Sequence, residues 1–323
     1  MKRLFGGILA LCLLLGALSG CGQSAGAGIG ETPSGKLRIV ATVFPLWDWT
    51  RNLLGGLASD AELTLLLDQG VDMHSYQPTA EDLLRIGSCD FLIYVGGTSD
   101  GWIEDAVAEA VNPDLIAVNL MEILGSAAKL EETVEGMQAQ AEEDAEYDEH
   151  IWLSLTLAGR CCKAICDALV GIDPEHRTAY SENLNAYLDR LNALDADYRE
   201  AVAMGSRDTL LFADRYPFRY LLDDYSLRYY AAFPGCEAET EASFETVIFL
   251  AEKAKELGLR VLLTTESPAP RLAETVAGNA GEPRPEVLAL DSMQAVTRRE
   301  IDAGTDYLTV MERNLAVLRE ALA

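Results

Sequence analysis

Two of the chain's three histidines sit in short polar turns, Asp72-Met73-His74-Ser75-Tyr76-Gln77-Pro78 and Tyr147-Asp148-Glu149-His150-Ile151-Trp152. Each follows acidic residues and precedes a helix-like stretch. Imidazoles presented from loops at the edge of regular structure, beside carboxylates, suit a divalent-metal site. Ordinary loop histidines are the simpler explanation for any arbitrary pair, so the rest of the chain has to decide.

The local sequence is built to hold these turns still. Thr79 stands where a helix beginning Ala80-Glu81-Asp82 needs its cap, and its three-residue spacing to Asp82 is that of a capping box, which fixes the backbone just after His74. His150 leads into a segment pinned by Trp152 and Leu153. The third histidine, His176, falls near the start of a long helical pattern and reads as solvent-exposed.

Six compact apolar runs read as strands buried on both faces: residues 37–43, 91–95, 115–118, 209–213, 261–265 and 287–290. Helix-like segments lie between most of them, which predicts an α/β fold with mostly parallel sheets and functional loops at the strands' carboxyl ends. One segment breaks the rhythm. Asp173-Pro174 supplies a start signal and Gly205 a stop, while Tyr180, Leu184, Tyr187, Leu188, Leu191, Leu194 and Tyr198 recur at helical steps. The pattern predicts one amphipathic helix of about 45 Å, long enough to join two lobes and restrict bending between them.

At the N-terminus, Lys2 and Arg3 precede an apolar run over residues 4–18 that is shorter than the about 20 residues of a transmembrane span, and Leu18-Ser19-Gly20-Cys21 closes it. This is a secretion signal whose ending resembles the bacterial lipobox, implying cleavage before Cys21 and lipidation of its thiol. Residues 22–35, rich in Gly and Ser, read as a flexible tether. The expected organisation is a signal over 1–20, a tether over 21–35, an N-terminal α/β lobe over 36–172, a linking helix over 173–204 and a C-terminal α/β lobe over 205–323.

With 25 basic and 52 acidic residues the net charge is -27, which excludes nucleic acid as a natural partner and makes cations the counter-species. The stretch over residues 130–149 carries nine acids and no base; such a run reads as a solvated, disordered loop, dispensable for a high-affinity site. Of seven cysteines, Cys12 lies in the signal and Cys21 would carry lipid. The remaining Cys89, Cys161, Cys162, Cys166 and Cys236 show no Cys-x-x-Cys spacing and read as small buried apolar groups.

Taken together, His74-Ser75-Tyr76-Gln77-Pro78-Thr79-Ala80-Glu81-Asp82, Asp148-Glu149-His150-Ile151-Trp152-Leu153-Ser154 and Leu288-Ala289-Leu290-Asp291-Ser292 resemble the motifs of solute-binding lipoproteins of bacterial zinc and manganese ABC transporters. The likeness spans nearly the whole mature chain. It implies two α/β lobes bridged by one rigid helix, with a metal in the interlobe cleft, and a monomeric, non-enzymatic receptor tethered by lipid to the extracytoplasmic face of the cell membrane. Such a receptor delivers its ion to a permease and the permease's ATPase.

The resemblance implies His74, His150 and Asp291 as ligands. At the fourth position the chain departs from the pattern, because matching Phe218 and Tyr220 puts Arg215 where the family has a ligand. Arginine stays protonated and offers no lone pair. A one-residue slip brings in Asp214, the favoured alternative; Glu241, Glu266 and water remain open. Two imidazoles with two carboxylates lean toward Mn²⁺ or iron without excluding Zn²⁺. Two other classes stay in view. A metallohydrolase would use an open position on the same ligands, although nothing resembles His-Glu-x-x-His, and a same-fold binding protein or adhesin for another ligand would use Arg215.

Overall fold

The computed structural model describes residues 35–138, 146–236, 241–266 and 270–323. Cys21, the signal segment and residues 22–34 of the tether lie outside them. Two four-stranded sheets carry the fold, and their strand pairings are all parallel. The first has the order β2-β1-β3-β4, built from β1 (Leu37–Ala41), β2 (Ala61–Leu65), β3 (Phe91–Tyr94) and β4 (Ile116–Asn119). The second repeats that order as β6-β5-β7-β8, from β5 (Thr209–Tyr216), β6 (Arg228–Pro234), β7 (Val261–Thr264) and β8 (Glu286–Ala289).

Parallel neighbours require crossovers, and helices supply most of them. The first lobe uses α1 (Phe44–Leu54), α2 (Ala80–Ser88), α3 (Trp102–Ala108) and α4 (Leu120–Leu124), followed by α5 (Leu155–Ile172) and the long α6 (Arg177–Met204). The second lobe uses α7 (Arg219–Asp224), α8 (Phe244–Glu256), α9 (Arg271–Asn279), α10 (Arg298–Asp302) and α11 (Tyr307–Ala321).

All six predicted runs contain strands. The two that sequence reading misses, β2 and β6, are each one of the two edge strands of their sheet. Ala-Glu-Leu-Thr-Leu in β2 is half polar because only part of an edge strand is covered, and Pro234 ends β6 where a missing N–H costs no ladder bond.

Helix α6 spans 28 residues, about 42 Å, after a 3₁₀ turn at Pro174–His176. It buries Tyr180, Tyr187, Leu191, Leu194 and Tyr198, the predicted face. Its start differs in detail. Asp173 makes no side-chain cap to the helix backbone; its carboxylate accepts from the Tyr180 hydroxyl at 2.7 Å and meets His176 Nδ1 at 2.6 Å. Near one end Asn183 donates to Leu53 O in α1 at 2.9 Å, and near the other the Tyr198 hydroxyl donates to Met311 O in α11 at 2.7 Å. The helix therefore grips both lobes.

Other bonds cross between the lobes. Trp152 Nε1 donates to Ser292 O at 2.8 Å, and the Tyr307 hydroxyl donates to Trp152 O at 2.6 Å. One apolar cluster runs continuously from Phe91 and Trp152 through Tyr198 to Leu315, so the two lobes share a core.

The acidic run departs from expectation. Residues 139–145 lie outside the described residues, but both flanks are ordered against the protein. Leu130 and Tyr147 form an antiparallel bridge, and Glu132 pairs with Arg219 at 2.8 Å. Gln138 donates through its backbone to Ala232 O in β6 at 2.9 Å and accepts from Ser243 N–H at 2.7 Å. Composition misleads here because the acids find partners on the second lobe. Cys89, Cys161, Cys162 and Cys166 are buried and free as expected, whereas Cys236 is only partly buried, in the loop after β6. No described helix is long and apolar enough to cross a membrane.

Candidate metal centre

His74 lies in a single 3₁₀ turn, Met73–Ser75. Asp72 caps it by accepting the His74 N–H at 3.0 Å, and Met73 anchors it in the core. Downstream the predicted capping box forms: Thr79 Oγ1 accepts from Asp82 N–H at 3.2 Å, while Asp82 Oδ2 accepts from Thr79 N–H at 2.8 Å and from the Tyr76 hydroxyl at 2.7 Å. Both sides of the turn are held, so the His74 ring has little freedom.

His150 is fully buried and leads into a second 3₁₀ turn, Ile151–Leu153, whose three side chains are buried as well. Asp148 Oδ1 accepts from the His150 N–H at 2.9 Å and meets Nδ1 of the same ring at 2.9 Å. The corresponding nitrogen of His74 meets Ser99 Oγ at 2.8 Å and faces Glu149 Oε2 at 3.5 Å, an oxygen with no hydrogen-bond partner. Gly97 makes room for that carboxylate, since a Cβ there would lie 2.4 Å from Glu149 Oε1, and its φ of 94° is one that side chains rarely adopt.

With Nδ1 of each ring facing oxygen acceptors, the proton is favoured there and Nε2 is left with its lone pair. The two Nε2 atoms approach to 3.1 Å. Two lone pairs at that distance repel unless a proton or a metal ion lies between them. Oxygen partners on the far nitrogen also orient a metal-bound imidazole and raise its basicity. Burial, then the neighbouring His150 charge, pushes the His74 pKa down to about 3, keeping it neutral. His150 moves the other way: burial opposes its charge, but Asp148, Glu149 and Asp72 together outweigh burial and raise its pKa.

Among the described residues, the group able to hold a metal is His74, His150 and Cys236, whose ligand atoms all lie within 4.8 Å of one another. The two histidines come from the first lobe and Cys236 from the second. The sequence offered a signal for Cys236 in Pro234-Gly235-Cys236 at the end of an aromatic strand, but the absence of a second nearby cysteine hid it.

The carboxylates expected in the site are not in that group, and each makes other contacts. Asp214 Oδ2 accepts from Thr264 Oγ1, Thr265 N–H and Thr265 Oγ1 at 2.6, 3.0 and 2.7 Å, and Oδ1 accepts from Arg215 N–H at 2.8 Å. Its oxygens hold the β5–β7 strand ends together. Asp291 accepts from Met293 N–H at 2.9 Å and faces Arg313 at 3.7 Å. Glu266 accepts twice from Ser292, at 2.8 and 2.7 Å, and Glu241 is exposed. The turn after Asp291 instead delivers Gln294, whose Nε2 lies 2.7 Å from His150 Nε2. Arg215 reaches back to Asp72 at 2.7 Å, so its charge is paired beside the site.

Two parallel α/β lobes joined by one rigid helix, with converging imidazoles in the cleft, define the two-lobed class of metal receptor. Residues 39–321 match the family model described as the periplasmic component A of the zinc-uptake complex. The chain belongs to that family. It is 27% identical over 323 residues to the high-affinity zinc uptake system protein ZnuA of Bacillus subtilis, covering 98% of this chain and 96% of that protein. It is also 27% identical over 324 residues to the zinc-binding lipoprotein AdcA of Streptococcus pneumoniae, covering 99% of this chain and 61% of that longer protein. The crystal structure of the Zn(II)-bound ZnuA-like domain of S. pneumoniae AdcA shares the fold, with a TM-score of 0.71 at 24% identity, covering 89% of this chain and 99% of that one.

Proposed function

We propose that this protein is the extracytoplasmic zinc receptor of an ABC importer, taking up Zn²⁺ between His74 and His150 and handing it to a permease driven by its ATPase. The observation that carries the reading is the 3.1 Å approach of two Nε2 atoms whose opposite nitrogens face oxygen acceptors. Zinc, rather than the manganese toward which a two-carboxylate site leaned, is favoured because the donors grouped with the two imidazoles include no carboxylate and because relatives of the chain include a zinc uptake protein and a zinc-binding lipoprotein.

A receptor fits better than a hydrolase. The third histidine, His176, is paired with Asp173 on the linking helix, leaving the pair no further imidazole as a general base. Arg215, which kept a different ligand in view, is committed to Asp72. The lobes over 36–172 and 205–323 act as two jaws on the 173–204 linker, and lipid on Cys21 tethers a monomer to the extracytoplasmic face of the cell membrane.

Elemental analysis of protein purified without chelator tests the reading. About one zinc per chain is expected, and His74→Ala with His150→Ala should remove it. A full complement of zinc in the double variant would refute the site.

A further inference from the structure

We infer that Cys236 is the third ligand of this site, so that zinc is held by two imidazoles and a thiolate drawn from both lobes. The inference rests on the reading of His74 and His150 as ligands and adds the donor that the second lobe contributes.

The geometry brings it there. Cys236 follows Gly235, which packs so tightly that a Cβ on it would lie 2.8 Å from Tyr216 O, 3.0 Å from Pro217 Cα and 3.1 Å from His150 Cε1. Only a bare backbone lets the β6 loop press against the His150 ring. Glu131 Oε1 then accepts the Cys236 N–H at 2.8 Å and holds the loop in place. Tetrahedral zinc, with Zn–N of about 2.0–2.1 Å and Zn–S of about 2.3 Å, sets ligand separations of roughly 3.3–3.6 Å. The imidazole pair already sits near that spacing, and all three donors fit inside 4.8 Å.

The chemistry agrees. The other four described cysteines are buried in the fold, while Cys236 is on a loop beside two buried imidazoles. Arg215 has no lone pair to offer a metal, and its charge is already paired with Asp72. As the S–Zn bond forms, the thiol proton passes to solvent. Soft sulfur also discriminates in a way carboxylates do not, favouring zinc over manganese. A fourth position stays open for water.

The test is the absorption spectrum of the Co²⁺-loaded full chain. A thiolate ligand gives a sulfur-to-cobalt charge-transfer band in the near ultraviolet, expected in the wild type and absent in Cys236→Ser. Zn²⁺ should protect Cys236 from alkylation. Cys236→Ser should bind zinc at least about tenfold more weakly, the loss associated with even outer-shell partners, and Cys236→His should recover most of that affinity without the band. A wild-type protein that takes up cobalt with no such band overturns the inference while leaving the histidine site intact, as does a band that survives in Cys236→Ser. Failure to take up any metal would instead sink the receptor reading itself, and this inference with it.

Discussion

His74 and His150 are both buried imidazoles, yet their surroundings pull their protonation in opposite directions, and that difference is measurable. Metal binds the neutral ring, so protons compete only where the free ring is charged. His74, with its pKa pushed to about 3, stays neutral through the useful range. His150, raised by Asp148, takes up its proton as pH falls through a value above the usual 6.5. On acidification toward about pH 4, the plot of log affinity against pH should therefore steepen by one proton relative to its slope at pH 8, about tenfold extra loss per unit. Competition against a chelator of known affinity checks this; steepening by two protons would mean that His74 is not held neutral. At this scale the two histidines were legible from rarity, loop position and acidic neighbours. Asp214 was not so separable, because a strand-end carboxylate reads the same whether it faces a cleft or ties strands together. Only the threonine hydroxyls that converge on Asp214 separate the two cases.

Among the elements, the β3–α3 turn and the acidic strap show what holds the site. Asp100 is a buried carboxylate accepting from Val95 and Gly96 N–H at 2.9 and 3.1 Å. Burial, reinforced by Glu149, raises its pKa to about 7. A carboxyl that keeps its proton longer when folded contributes stability below its unfolded pKa of about 3.9 and loses it as pH rises toward 7. Asp100→Asn keeps both acceptor contacts without the charge. It should stabilise the protein at pH 8, by no more than about 4 kcal/mol, and have little effect at pH 4. Thermal melts at the two pH values check it; an equal effect at both would contradict the cause given. The strap behaves contrary to its composition. Because Glu131 holds Cys236 and Gln138 docks on β6 and Ser243, removing residues 131–146 should lower both the melting temperature and zinc affinity. The loss should persist in high salt, whereas a purely electrostatic attraction would fade there. Sequence reading saw the charge but not the partners, which lie about a hundred residues away.

The whole molecule is a pair of jaws with little slack. The linking helix was legible because its start and stop signals and its apolar stripe agreed with one another, and the parallel sheets because their central strands carry compact apolar runs such as Phe91–Tyr94 and residues 210–213. The bonds that lock the lobes together were not legible, since Trp152 to Ser292 and Tyr307 to Trp152 join residues 140 and 155 positions apart. These ties and the shared core predict that zinc closes the cleft by side-chain and loop movement, not by rotation of the lobes. Small-angle scattering with and without zinc should give radii of gyration within about 1 Å, against the several ångströms of an open hinge motion. Zinc should nonetheless raise the melting temperature, since ligand at 100 times its Kd adds about 2.7 kcal/mol to the folded state.

The most direct measurement is a crystal structure of the zinc-loaded protein with anomalous data collected on both sides of the zinc edge. One strong peak is expected between His74 Nε2 and His150 Nε2, about 2.0–2.1 Å from each. A peak ligated by Asp214 or Asp291 without both histidines, or no peak in the cleft from protein shown to carry zinc, would contradict the two-histidine site.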